Sequence, residues 1–138
     1  MSVFCDSSAL VKLYVDEPDA DRVRQLTTIT VSALARVEVP AALWRKHRSS
    51  EVSIEDLTAL IDEFEWDYYE RFSRVAVEAA VLADAARAVG RHSLRAYDAV
   101  QLACAMAGRN AAAELSTFAT FDQGLERAAA GEGFALLG

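Results

Sequence analysis

Ser2–Cys5 is a short apolar run that meets Asp6-Ser7-Ser8, the pattern of a buried strand running into a helix start. Ala9–Val15 predicts a short helix stopped by Asp16-Glu17-Pro18-Asp19, and Ala20–Leu26 predicts a second. Thr28–Val31 is β-branched throughout, as suits a second buried strand. Ser32 can cap a longer helix to about Arg48, with Leu34, Val37, Ala41 and Trp44 on its apolar face. Pro40 lies inside that helix and can kink or break it. Ser53 to about Asp67 is helical in pattern, with Ser53 and Asp56 as a capping pair, and Trp66–Val77 reads as a helix end and a short edge segment. Val77–Val89 and Arg95–Ala107 predict helices closed by Gly90 and Gly108. Glu114–Thr120 predicts a strand, Asp122–Ala130 a helix, and Gly131-Glu132-Gly133 a turn into a last strand, Phe134–Leu137. Strands alternating with helices predict an α/β fold, a parallel sheet of four to five strands with helices on both faces.

The 138 residues fit one domain, and 53% hydrophobic against 25% charged residues describes a folded chain. No apolar run reaches the roughly 20 residues of a membrane span. The opening Met1-Ser2-Val3-Phe4-Cys5-Asp6 lacks the basic stretch of a signal peptide, so a cytoplasmic protein is expected. Cys5 and Cys104 sit in apolar contexts and read as buried thiols of a reducing compartment. His47 and His92 lack the spacing of a zinc site. The net charge of −7 is awkward for a protein that handles phosphate, although two bound divalent ions would change −7 to −3. Positive charge is bunched in Arg45-Lys46-His47-Arg48, in Arg71 and Arg74, and in Arg91 and Arg95; alone, such clusters are solvated faces.

Four carboxylates fall in places that bear on chemistry. Asp6 follows the first strand and Asp122 the Glu114–Thr120 strand, and ligands of open α/β sheets bind at the carboxyl ends of strands. Taken singly, each reads better as a helix cap. Glu38 lies about 40° from Leu34 and about 60° from Ala41 around its helix, at the edge of the apolar stripe. There it must be paired, protonated or metal-bound, and Arg45 is one candidate partner through an intervening residue. Asp98 shares a face with Leu94, Leu102 and Ala105; a capping box with Gln101 needs the helix to begin at Asp98, whereas Ser93 offers an equal cap one turn earlier. Converging carboxylates without histidine or cysteine describe an all-oxygen site for Mg²⁺ or Mn²⁺, suited to phosphoryl chemistry. Ser7 or Ser8 and Thr120 could hold water or a carboxylate in place.

These residues carry a family resemblance. Val3–Tyr14, Ser32–Arg45 with Glu38, Leu94–Ala103 with Asp98, and Thr120-Phe121-Asp122 followed by Leu125 resemble, in order and over nearly the whole chain, PIN-domain proteins, above all VapC toxins of VapBC systems. The segment around Asp98 is the most specific. The resemblance implies a single PIN-like domain over residues 1–138, with Asp6, Glu38, Asp98 and Asp122 as a catalytic quartet binding Mg²⁺ or Mn²⁺ and Ser8 and Thr120 as supporting hydroxyls. It implies metal-dependent endoribonuclease activity held off by a VapB-type antitoxin, with a homodimer and a toxin–antitoxin hetero-oligomer as assemblies. Phe121 departs from the pattern, which more often has a smaller residue there. Arg45, Lys46, Arg48, Arg91 and Arg95 are the candidate RNA-binding residues.

Rival chemistries lack their residues. A phosphoreceiver domain needs a lysine near its last strands, and the only lysines are Lys12 and Lys46. A haloacid-dehalogenase-type phosphatase needs a second acid at position 8, which is Ser8, and Asp6-Ser7-Ser8-Ala9-Leu10 has no glycine-rich nucleotide loop. The remaining alternative is a PIN fold that binds RNA or protein without cutting.

Overall fold

A computed structural model describes residues 1–137. Strands β1 (Ser2–Cys5), β2 (Thr28–Ser32), β3 (Ser73–Val75), β4 (Leu115–Ala119) and β5 (Ala135–Leu136) form one sheet in the order β3-β2-β1-β4-β5. Every neighbouring pair is parallel, with Phe4 opposite Phe118 and Cys5 opposite Ala119 in the central pair. The helices are α1 (Ser7–Leu10), continued as a 3-10 turn over Val11–Leu13, then α2 (Ala20–Arg24), α3 (Ala35–Arg48) and α4 (Ile54–Glu70). The second half adds α5 (Ala79–His92), α6 (Ala96–Ala111) and α7 (Gln123–Gly131).

Because side chains alternate across a strand, each buried strand feeds two cores. Val3, Cys5, Ile29, Val31 and Ala119 pack with residues of α1–α4 on one face, around Leu10, Leu43, Leu57 and Phe64. Phe4, Leu115 and Phe118 pack with α5–α7 on the other, around Leu102, Leu125 and Phe134. The chain therefore winds outward from β1 to β2 and β3 with helices on one face, then crosses to β4 and β5 with helices on the other. The winding reverses between β1 and β4, and at such a switch point the two connections part and leave a crevice at the strands' carboxyl ends.

Several expected boundaries move, each for a tertiary reason. Ser32 ends β2 instead of capping α3; its Oγ accepts from the Leu34 backbone N–H at 3.1 Å, and α3 starts at Ala35 without a side-chain cap. Pro40 does not break α3. Gly90 and Gly108 lie inside helices. α5 runs on to His92, where Arg91 and His92 both reach Glu132, and ends at Ser93 in the left-handed region with φ 54°. Ser93 is thus the stop of α5, and Arg95 precedes α6 without a capping bond. At Gly108 a Cβ would stand 2.7 Å from Leu115 Cδ2, so the residue is small to let α6 approach β4. Ser53 caps α4 as expected, accepting from Asp56 N–H at 3.1 Å.

The largest displacement concerns α3. Its buried residues are Ala35, Val39 and Leu43, while Val37 is 70% and Trp44 41% exposed. The stripe Leu34–Val37–Ala41 that reads as a core face is instead a wall of the crevice.

Candidate active site at the strand switch point

Asp6 and Asp122 leave the carboxyl ends of β1 and β4, and one hydrogen-bond network joins them. Asp6 N–H extends the sheet by donating to Ala119 O at 3.1 Å. The Asp6 side chain, 5% exposed, accepts from Ser8 Oγ (2.7 Å) and Ala9 N–H (3.0 Å) on Oδ1 and from Thr120 Oγ1 (2.6 Å) on Oδ2. Thr120 Oγ1 in turn accepts from Asp122 N–H at 3.1 Å, and Ser8 Oγ accepts from Phe121 N–H at 3.0 Å. Ser8 and Thr120 therefore fasten the Asp6 carboxylate to the β4–α7 turn. Asp6 and Asp122 also cap α1 and α7, Asp122 accepting from Leu125 N–H at 2.8 Å. A cap uses one lone pair, so capping and ligation are compatible here.

Glu38 and Asp98 come from α3 and from the first turn of α6, and both are half-buried. Glu38 is not paired with Arg45. Its Oε1 accepts from Ser7 Oγ at 2.8 Å and from Gln101 Nε2 at 2.6 Å. Asp98 lies three residues before Gln101 and is too far into α6 to be its cap.

The acids feel one another. Burial pushes the Asp6 carboxyl up to about 6 against the pull of its three hydrogen bonds, and the charge of Asp98 adds to the rise. Asp98 is raised first by burial and then by the charges of Asp122 and Glu38, with Arg95 opposing. Asp98 is thus the electrostatic neighbour that the other three acids share. The four carboxylates do not close on a point: among the described residues, no three or more His, Cys, Asp or Glu groups converge at metal-holding distance.

The donor set nonetheless fits a hard divalent cation. It is all oxygen, it concentrates negative charge, and the amide oxygen of Gln101, beside Glu38, is buried without a hydrogen-bond partner. Asp6, Glu38, Asp98 and Asp122 are the residues that could hold such an ion.

Beside the acids opens a crevice of about 750 Å³ lined by Leu34, Val37 and Ala41 of α3, by Tyr97, and by Ser7, Ser8 and Phe121. Its far end is tied by Lys12, which donates to Glu17 Oε1 (3.1 Å) and Pro18 O (2.7 Å) and lies 4.5 Å over the Phe121 ring. Phe121 also packs against the core on the α1–α4 face. The expected basic rim divides. Lys46 is held by Glu17 at 2.9 Å, and Arg91 by Glu132 at 2.8 Å. Arg45, Arg48 and Arg95 are exposed and make no ion pair among the described residues, and Arg45 lines the crevice.

The PIN domain family matches residues 3–131. The chain belongs to the PIN-domain family. The fold of this PIN domain is shared with solved structures at low identity. One is the Mycobacterium tuberculosis toxin VapC20, described as cleaving the sarcin-ricin loop, with 15% identity, a TM-score of 0.68, and 92% of this chain and 95% of that one covered. Another is VapBC2 of Rickettsia felis bound to a promoter DNA fragment, with 15% identity, a TM-score of 0.65, and 99% and 97% covered. A toxin–antitoxin complex from Klebsiella pneumoniae matches at 15% identity and a TM-score of 0.61, with 88% and 87% covered. No curated protein matches the sequence.

Serine 7 and Gln101 complete the polar lining of this PIN domain's site. Gln101 is visible in the sequence as the one polar side chain in the run Ala99–Ala105 apart from Cys104.

Proposed function

We propose that this PIN domain is a Mg²⁺- or Mn²⁺-dependent endoribonuclease and the toxin half of a VapBC-type pair. The observation that carries the reading is the hydrogen-bond network that fastens the buried Asp6 carboxylate through Ser8 and Thr120 to the turn bearing Asp122, with Asp98 close enough to raise Asp6 and to be raised by Asp122 and Glu38. Asp6 and Asp98 would be the main metal ligands, with Glu38 and Asp122 completing the set. A bound ion would supply hydroxide from water near neutral pH and stabilise charge on the phosphate oxygens. Ser8 and Thr120 hold both oxygens of Asp6, so its carboxylate needs little reorganisation as charge develops. The toxin–antitoxin descriptions of structures with the same fold support the physiological role. Such a toxin acts on RNA in the cytoplasm, and no described helix is long and apolar enough to cross a membrane.

The antitoxin would use the same opening. Apolar Leu34, Val37 and Ala41 beside a cluster of acids suit a tail that carries apolar side chains and one arginine or lysine. That tail would exclude both metal and RNA, and the toxin would also pair with a second copy of itself.

Incubating the purified protein with a panel of transfer, ribosomal and messenger RNAs, with Mn²⁺ or with EDTA, tests the reading. Endonucleolytic fragments in Mn²⁺ and none in EDTA are expected. RNA binding without fragments in either condition would favour a PIN fold that binds without cutting.

RNA grip is expected to rest on Arg45, which lines the crevice, and on Arg95, whose charge reaches Asp98. Each alanine substitution should reduce the salt dependence of single-strand binding by about 0.7 in log–log slope. Lys46→Ala, whose charge is already spent on Glu17, should leave the slope near its wild-type value. Equal slopes for all three variants would move the RNA track elsewhere.

A further inference from the structure

We infer that Gln101 is a positioning residue that sets the orientation of the Glu38 carboxylate toward the metal. The inference rests on the metal-site reading above.

Gln101 is 2% exposed, and its side chain lies between α6 and α3. Its Nε2 donates to Glu38 Oε1 at 2.6 Å and to Ser7 Oγ at 3.3 Å, and Ser7 Oγ donates to the same Glu38 oxygen at 2.8 Å. Three side chains from α1, α3 and α6 thus meet at one carboxylate oxygen. Among the described residues nothing donates to Glu38 Oε2, so the clamp occupies one oxygen and leaves the other for a cation. A glutamate has three side-chain torsions, and half-exposed ones sample several rotamers; two donors on one oxygen select among them.

The donor is also of the right kind. An arginine or lysine at position 101 would neutralise Glu38 and compete with the metal, whereas an amide orients the carboxylate and leaves its charge intact. The buried Gln101 oxygen has no hydrogen-bond donor. Burying an amide with half its capacity unmet is unfavourable for stability, so this residue is poorly explained by folding alone. An acceptor at the edge of an all-oxygen cation site is suited to a water on the metal.

The test is Mn²⁺ binding, measured by calorimetry or by the spin-resonance signal of free Mn²⁺, on wild type, Gln101→Leu, Gln101→Asn, Ser7→Ala and Asp98→Asn, with melting curves in EDTA. Gln101→Leu should weaken Mn²⁺ binding about 10- to 100-fold, the range seen when a partner of a metal ligand is lost. Its melting temperature in EDTA should stay within a few degrees of wild type. Gln101→Asn keeps the amide but is one methylene shorter and cannot span to Glu38, so it should behave like leucine. Ser7→Ala removes the weaker half of the clamp at a partly exposed position, should fold regardless, and should weaken Mn²⁺ binding by a smaller factor.

Unchanged Mn²⁺ affinity in the Gln101 variants, or in Ser7→Ala if those do not fold, with Asp98→Asn losing Mn²⁺, overturns the role of the clamp and leaves the metal site standing. Mn²⁺ affinity retained in Asp98→Asn overturns the metal-site reading itself, and the Gln101 inference falls with it.

Discussion

Asp98→Asn is expected to abolish metal-dependent RNA cleavage while leaving the metal-free protein as stable as wild type, or more so. Asp98 is raised by burial and by the charges of Asp122 and Glu38, so removing its charge relieves repulsion in EDTA. In wild type, Mn²⁺ at a hundredfold excess over Kd should add roughly 2.7 kcal/mol of stability, because the ion binds only the folded crevice. The variant should lose most of that gain, and cleavage should fall on the order of a hundredfold or more, as when a charge-stabilising group is removed from an active site. A merely structural Asp98 behaves differently. It sits inside α6 instead of capping it, so asparagine would then leave stability, metal response and cleavage nearly unaltered. Melting curves with and without Mn²⁺, beside a cleavage assay, separate the two outcomes.

The second large effect is a pH dependence written by Asp6. Its folded carboxyl stands at about 6, above the usual 3.8, mainly through burial. Below about pH 4 the group is protonated in both folded and unfolded chains and contributes no penalty. As the pH rises through 6 the unfolded chain has already ionised and the fold must bury a charge, so stability is lost. A rise of about two pKa units corresponds to about 3 kcal/mol lost between pH 4 and pH 7. Asp98 shifts in the same direction, whereas Glu17 and Glu132 are lowered and act oppositely. The contribution of Asp6 is therefore the difference between wild type and Asp6→Asn. Chemical denaturation in EDTA should show that asparagine gains relative to wild type as pH increases over this window. With Mn²⁺ the dependence reverses, since the ion needs the ionised carboxylate: affinity should fall about tenfold per unit below pH 6. Parallel stability curves for the two proteins in EDTA would contradict the assignment.

The sheet was legible because its central strands are short apolar or β-branched runs, Ser2–Cys5 and Thr28–Val31, buried on both faces. Helix ends were less so. Gly90 and Gly108 look like stops, but contacts to Glu132 carry α5 past the first, and the second is small because Leu115 presses on it. The face of α3 was misread by about half a turn of the helix, because a crevice wall can be as apolar as a core: Leu34, Val37 and Ala41 make a periodic stripe, yet Ala35, Val39 and Leu43 are the residues buried.

The site shows the same division. Asp6 and Asp122 are visible in sequence as caps, and the structure gives each a cap and joins the two through Thr120. What sequence could not supply was the third dimension of the network. Glu38 pairs with Ser7 and Gln101 from two other elements, not with Arg45 on its own helix. Likewise, the candidate cations Lys46 and Arg91 look free in sequence until the loop bearing Glu17 and the helix end bearing Glu132 fold against them.

The central claim is that Asp6, Glu38, Asp98 and Asp122 hold one divalent-metal site. Anomalous diffraction from crystals equilibrated with Mn²⁺ tests it most directly. The account predicts a manganese peak between Asp6 and Asp98, with Glu38 and Asp122 facing it. A peak confined to the acidic loop at Asp16–Asp21, or none at Mn²⁺ concentrations that support RNA cleavage, would contradict it.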